Sequence, residues 1–206
     1  MPTPDAPSSS QHHLRAALRW SIASVVWTAI AGSVAIASGI VVGSLLLVVF
    51  GAVGALDGAG STVLALHFRH ALHHEQISEQ RERQALIAIA VGMGLIAIAT
   101  TIQSLSRLVG GNHTTEFSAV GTAVAAASIA ALAVLAAGKQ RIATRIGSRA
   151  LLADSHVSAM GAVLALCTSV GTVVTNAFGW WWLDPTASLV VAFVALAVSV
   201  GHLRES

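Results

Sequence analysis

An all-α bundle of six membrane-crossing helices is the fold this sequence predicts, on three observations. The chain is 55% hydrophobic and 10% charged, with mean hydropathy +0.77, whereas a soluble domain carries far more charge on its surface. Its apolar residues come in runs long enough to cross a hydrocarbon core, which takes about 20 helical residues. Its basic residues gather in the gaps between alternate runs.

The spans follow in order. Residues 1–14, Pro/Ser-rich at the start, read as a disordered tail, and residues 15–206 as the bundle. Asp57 is the only formally charged residue from Trp20 to Phe68, which fits two helices near Trp20–Ile40 and Gly43–His67, joined by a tight turn at Gly39–Gly43. Arg69–Arg83 then forms a polar loop. A third span covers about Ala85–Ile102, and Gln103–Glu116 forms the next loop. A fourth covers Phe117–Gly138, followed by a basic loop, Lys139–Arg149. The fifth runs about Leu151–Phe178 and the sixth about Pro185–Leu203, with Asp184 as N-cap and Pro185 at the first helical position. No soluble domain is expected after the sixth.

Six spans put both termini on one side. Ten basic residues fall there and only Arg107 falls on the other. That asymmetry predicts cytoplasmic termini in a multi-pass protein of the cell (plasma or inner) membrane, with Trp180–Trp182 anchoring at the outer interface. Asn112-His113-Thr114 on the outer side matches a glycosylation sequon, a match that chance explains well.

Several classes are excluded or disfavoured. The start lacks the basic stretch of a signal peptide. A single cysteine, Cys167, cannot form an intrachain disulfide. No basic stripe with interleaved aromatics suggests a nucleic-acid partner. No Cys/His/Ser constellation favours an enzyme, and no prosthetic cofactor is implied.

The polar residues inside the spans carry the functional reading. Asp57 lies near mid-depth, twelve residues before Arg69, about 18 Å along the helix. A charge there costs at least ~2.5 kcal/mol, so it must face protein or water. Gly54 and Gly58 flank it as a GxxxG pair that lets another helix approach. His156, on the fifth span, is expected in a neighbouring layer. A carboxylate and an imidazole from facing helices begin a divalent-cation site, and Asp154 is a third candidate nearer the interface. Binding to deprotonated ligands would couple metal entry to proton release. The bland alternative is a buried ion pair or separately satisfied polar groups. A second candidate is the set His67, His70 and His74, whose spacing stacks them on one helix face; interfacial histidines capping the span are the alternative.

"GSRALLADSHVS" (Gly147–Ser158), "WWWLDPTASLVVAF", "GSLLLVVFGAVGALD" (Gly43–Asp57) and "RERQALIAIAVGMG" together resemble the transmembrane domain of the cation diffusion facilitator family, proton-coupled exporters of zinc and related divalent ions. The likeness covers nearly everything after residue 15. It implies two ligands four apart on helix two and two four apart on helix five. Asp57 matches the second of the first pair and His156 the first of the other, while Val53 and Met160 stand at the remaining positions. A reduced site would borrow from Asp154, Ser61, Ser158, a backbone carbonyl or water. The resemblance also implies a homodimer, with a divalent metal ion and protons as the transported species. A non-transporting member serving as a membrane structural or regulatory partner is the alternative that Val53 and Met160 motivate.

Overall fold

The computed structural model describes residues 6–74, 79–110 and 116–205. These form six helices: α1 (Ala6–Val42), α2 (Leu45–His74), α3 (Glu79–Gly110), α4 (Ala119–Ile146), α5 (Arg149–Phe178) and α6 (Leu183–Glu205). The first five contain stretches long and apolar enough to cross a membrane, while α6 carries a shorter apolar segment, Leu183–Ala197.

α1, α3 and α6 exceed the expected spans at both ends, and α2, α4 and α5 at one. α1 starts at Ala6, inside the stretch expected to be a disordered tail. α2 continues to His74 and α3 begins at Glu79, so most of the expected Arg69–Arg83 loop is helical. The correction that matters for the site is at α4, which runs eight residues past Gly138 to Ile146. Lys139 is therefore helical, not the first residue of a loop. The physical reason is that polar helix formers continue a helix as readily as apolar ones. Hydropathy marks where lipid ends, not where the backbone turns. Asn112 and its sequon lie outside the described residues.

The turns follow from local chemistry. α1 ends where Gly43 adopts a left-handed φ of 70°, a conformation that costs glycine nothing. The Ser44 amide then donates to Gly39 O at 2.9 Å, closing a Schellman turn. Gly147 ends α4 in the same way, with the Ser148 amide on Ala143 O. Ser148 in turn caps α5, its hydroxyl accepting from the Leu151 amide.

α1 lies on α2, α4 on α5, and α3 on α6, with α1 also packed on α4. The α1–α2 contact depends on small residues. A Cβ added at Gly51 would fall 2.7 Å from Gly32 O, and one at Gly58 2.7 Å from Thr28 Oγ1. The expected close approach beside Asp57 is thus real, and α1 is the helix that makes it. Phe50, Val53, Leu132 and Leu164 belong to the main core, so Val53, at a position where the resemblance implies a ligand, serves packing.

Asp184 also departs from expectation. It sits in the first turn of α6 rather than before it, and its carboxylate serves a different helix. Oδ2 accepts from the Ser44 hydroxyl at 2.7 Å and Oδ1 from the Leu46 amide at 2.9 Å. It therefore satisfies the free amide end of α2 from α6, where the helix dipole favours a negative charge. Asp184→Ala should lower stability by about 1–3 kcal/mol, read as an earlier unfolding midpoint in detergent.

Candidate functional site

α2 and α5 each place two polar residues four apart on an inward face: Asp57 and Ser61, Asp154 and Ser158. Residues at that spacing lie one above the other on a helix. α1 adds Ser24. All five side chains are buried, and they converge on one group, the ammonium of Lys139 from α4.

Lys139 is 0% exposed. Its Nζ lies 2.8 Å from Asp154 Oδ2 and 3.2 Å from Asp57 Oδ1. It also donates to Ser24 Oγ at 2.7 Å, Ser158 Oγ at 2.8 Å and Ser61 Oγ at 2.9 Å. The three hydroxyls complete the network by donating to the acids. Ser24 reaches Asp57 Oδ2 at 2.7 Å, Ser158 reaches Asp57 Oδ1 at 2.6 Å, and Ser61 reaches Asp154 Oδ2 at 2.9 Å. One oxygen is left over: Asp154 Oδ1 is buried with no hydrogen-bond partner among the described residues.

The geometry explains why a lysine near a helix end is buried instead of reaching for water. Side chains on a helix lean toward its N-terminus. Lys139 lies seven residues before the C-terminal end of α4, so its stem leans back into the bundle. Two acids and three hydroxyls meet it there. Removing an unpaired ammonium from water costs several kcal/mol; here the paired carboxylates and hydrogen bonds offset that cost.

Of the sequence candidates, the structure brings Asp57 and Asp154 together around one cation. His156 is not part of this cluster. Two residues along a helix turn a side chain by about 200°, so with Asp154 facing inward His156 faces outward, and it is exposed. The expected pairing of Asp57 with His156 is replaced by Asp57 with Asp154. Ser61 and Ser158, considered as borrowed ligands, are both present. Met160 packs instead against a cluster containing Met93, Val157 and Ala195. Cys167 is a free, half-buried thiol.

His67, His70 and His74 all fall within α2 as their spacing implies. His67 is half-buried and His70 exposed. Among the described residues no group of three or more His, Cys, Asp or Glu side chains is placed to hold a metal ion.

Lys139 and Ser24 were missed by sequence reasoning. A signal for Lys139 existed: it is the chain's only lysine, against ten arginines. Lysine's compact ammonium suits a small oxygen cage better than a planar guanidinium does. Ser24 carries no such mark, because serine is common in apolar helices.

No protein-family model matches the chain, and no curated protein matches its sequence.

Proposed function

We propose that this protein is a multi-pass membrane carrier that exports a divalent metal cation in exchange for protons, with the Asp57–Asp154–Lys139 junction as its transport centre. The observation carrying this reading is the convergence of two buried carboxylates, from α2 and α5, on a single cation inside the bundle. Ionisable groups at such depth are costly and mark ion or proton paths by default.

Three features support the wider picture. Five helices are long and apolar enough to span a bilayer. With Lys139 taken out of the count, nine arginines remain on the expected cytoplasmic side against Arg107 on the other, which favours cytoplasmic termini. The stacked Trp180 and Trp182 rings, 5.7 Å apart and exposed, suit the outer interface, where indoles anchor. A cell-membrane location and a homodimer belong to the same proposal.

In this conformation the centre is closed: Lys139, Asp154, Ser24, Ser61 and Ser158 are wholly inaccessible. Transport therefore requires α2 and α5 to move relative to α4 so that the junction opens to one side and then the other. A second reading, a non-transporting structural or regulatory partner, is favoured by the same lysine, which already neutralises one of the acids.

Flux separates the two. The full chain in proteoliposomes should move at least one of manganese, zinc, cobalt and cadmium, with an opposed change in internal pH. No flux of any of these ions, in vesicles shown to hold folded protein, supports the partner reading.

A further inference from the structure

The shell around Lys139 holds more than an ammonium uses. An ammonium offers three protons, yet five side-chain oxygens lie within 3.2 Å of Nζ. A sixth, Asp154 Oδ1, is buried in the same cluster without a hydrogen-bond partner. With both acids ionised, two negative charges face one positive charge, so the cluster is one unit short of neutrality. Six oxygens with two carboxylates match the coordination of a small, hard divalent cation, which takes about six oxygen ligands. No nitrogen or sulfur donor is in the cluster, so it lacks the ligand types that favour softer ions over hard ones.

We propose that Lys139 is a tethered stand-in for such a cation. Ser24, Asp57, Ser61, Asp154 and Ser158 form a built oxygen seat for an ion of the manganese or magnesium class. The ammonium keeps that seat filled, and the ammonium and the divalent ion exclude each other. This rests on reading the junction as the transport centre, and it names both the class of ion and the group that competes with it. Five of the six oxygens lie 2.7–3.2 Å from Nζ, and a hard divalent ion draws its ligands to about 2.0–2.6 Å. All six oxygens belong to side chains, which can turn toward the ion. Lys139 is on α4, whereas the donors are on α1, α2 and α5. Movement of that one helix, or of the lysine side chain alone, vacates the seat.

The test uses the purified full chain in detergent, with MnCl2 as the probe. Binding is followed by the loss of the free Mn2+ electron paramagnetic resonance signal and by thermal unfolding. Lys139→Met should bind Mn2+ at least about tenfold more tightly than the unsubstituted chain, the equivalent of one favourable charge interaction. Its unfolding temperature should climb with MnCl2, while that of the unsubstituted chain stays flat. Adding Asp57→Asn and Asp154→Asn to Lys139→Met should abolish the gain. Where Lys139→Met is recovered only in the presence of MnCl2, that recovery is itself the expected result. Lys139→Gln, which keeps a neutral donor, should show the same trend.

Equal Mn2+ affinity with and without Lys139, or a gain that survives removal of both acids, overturns the proposal, as does failure of MnCl2 to recover or stabilise either Lys139 variant. Failure of a large excess of Mg2+ to displace Mn2+ from Lys139→Met overturns the assignment of a hard-ion seat. Because binding is read without transport, the two ideas fail separately. Tight Mn2+ binding by Lys139→Met in a protein with no flux removes only the carrier reading. Flux with unchanged affinity removes only the tethered-cation reading.

Discussion

Lys139→Ala in metal-free buffer should be among the most destabilising single substitutions in this protein. It removes the one cation shared by Asp57 and Asp154 and leaves both carboxylates in a cluster closed to solvent. Breaking a buried ion pair by deleting one partner typically costs about 3–5 kcal/mol, because the remaining charge keeps its desolvation penalty and loses its compensation. Here two charges are stranded side by side, and their mutual repulsion adds to the loss. The expected readout is a sharply lower unfolding temperature, or a loss of monodisperse protein on size exclusion in detergent. Asp57→Asn and Asp154→Asn added to Lys139→Ala should restore much of the loss, since no unpaired charge then remains. A triple variant no more stable than Lys139→Ala would show that the cost comes from the cavity left by the lysine stem and not from charge.

The second large effect separates two neighbours on α5. On the carrier reading, Asp154→Asn should lower cation flux by about 100-fold or more, in line with about 3 kcal/mol for a lost charge-assisted contact at a buried site. His156→Ala, two residues away and on the exposed face, should leave flux within about twofold, as is usual for surface positions. The asparagine keeps the shape of the aspartate, so folded protein should be recovered and the comparison stays one of charge. If flux is lost in His156→Ala and kept in Asp154→Asn, the inward register of α5 described above is not the one that transports.

These two residues also show what kind of error a sequence reading makes in a membrane chain. An imidazole and a carboxylate two residues apart are both plausible ligands, and composition cannot choose between them. Helix geometry allows only one to face inward. The α5 face buried against the rest of the bundle carries Ala150, Leu151, Asp154, Val157, Ser158 and Gly161, and that face includes Asp154. An apolar-moment argument has little force here because lipid and protein core are equally apolar, so both faces of the helix look alike in hydropathy.

Lys139 marks the other boundary. Its place after a run of alanines and a glycine made it look like the first residue of a loop, and the basic residues that follow reinforced that reading. Its burial depends on three other helices supplying oxygens at one depth, an arrangement that no local window contains. The lysine count, one against ten arginines, was the trace left in the sequence, and it has meaning only once the cage is seen.

The sequence by itself determined the helical class, the number and order of the helices, the tight turn at Gly43 and the membrane setting. Each of these depends on nearest neighbours: run length against bilayer thickness, glycine at a left-handed turn, and charge excluded from lipid. Only the tertiary structure decided which polar residues meet. That choice follows from helix rotation and from contacts between residues 15 to 115 positions apart, such as Lys139 with Asp154 and Lys139 with Ser24. A buried charge must find its counter-charge, and the partner is set by where the packed helices place it.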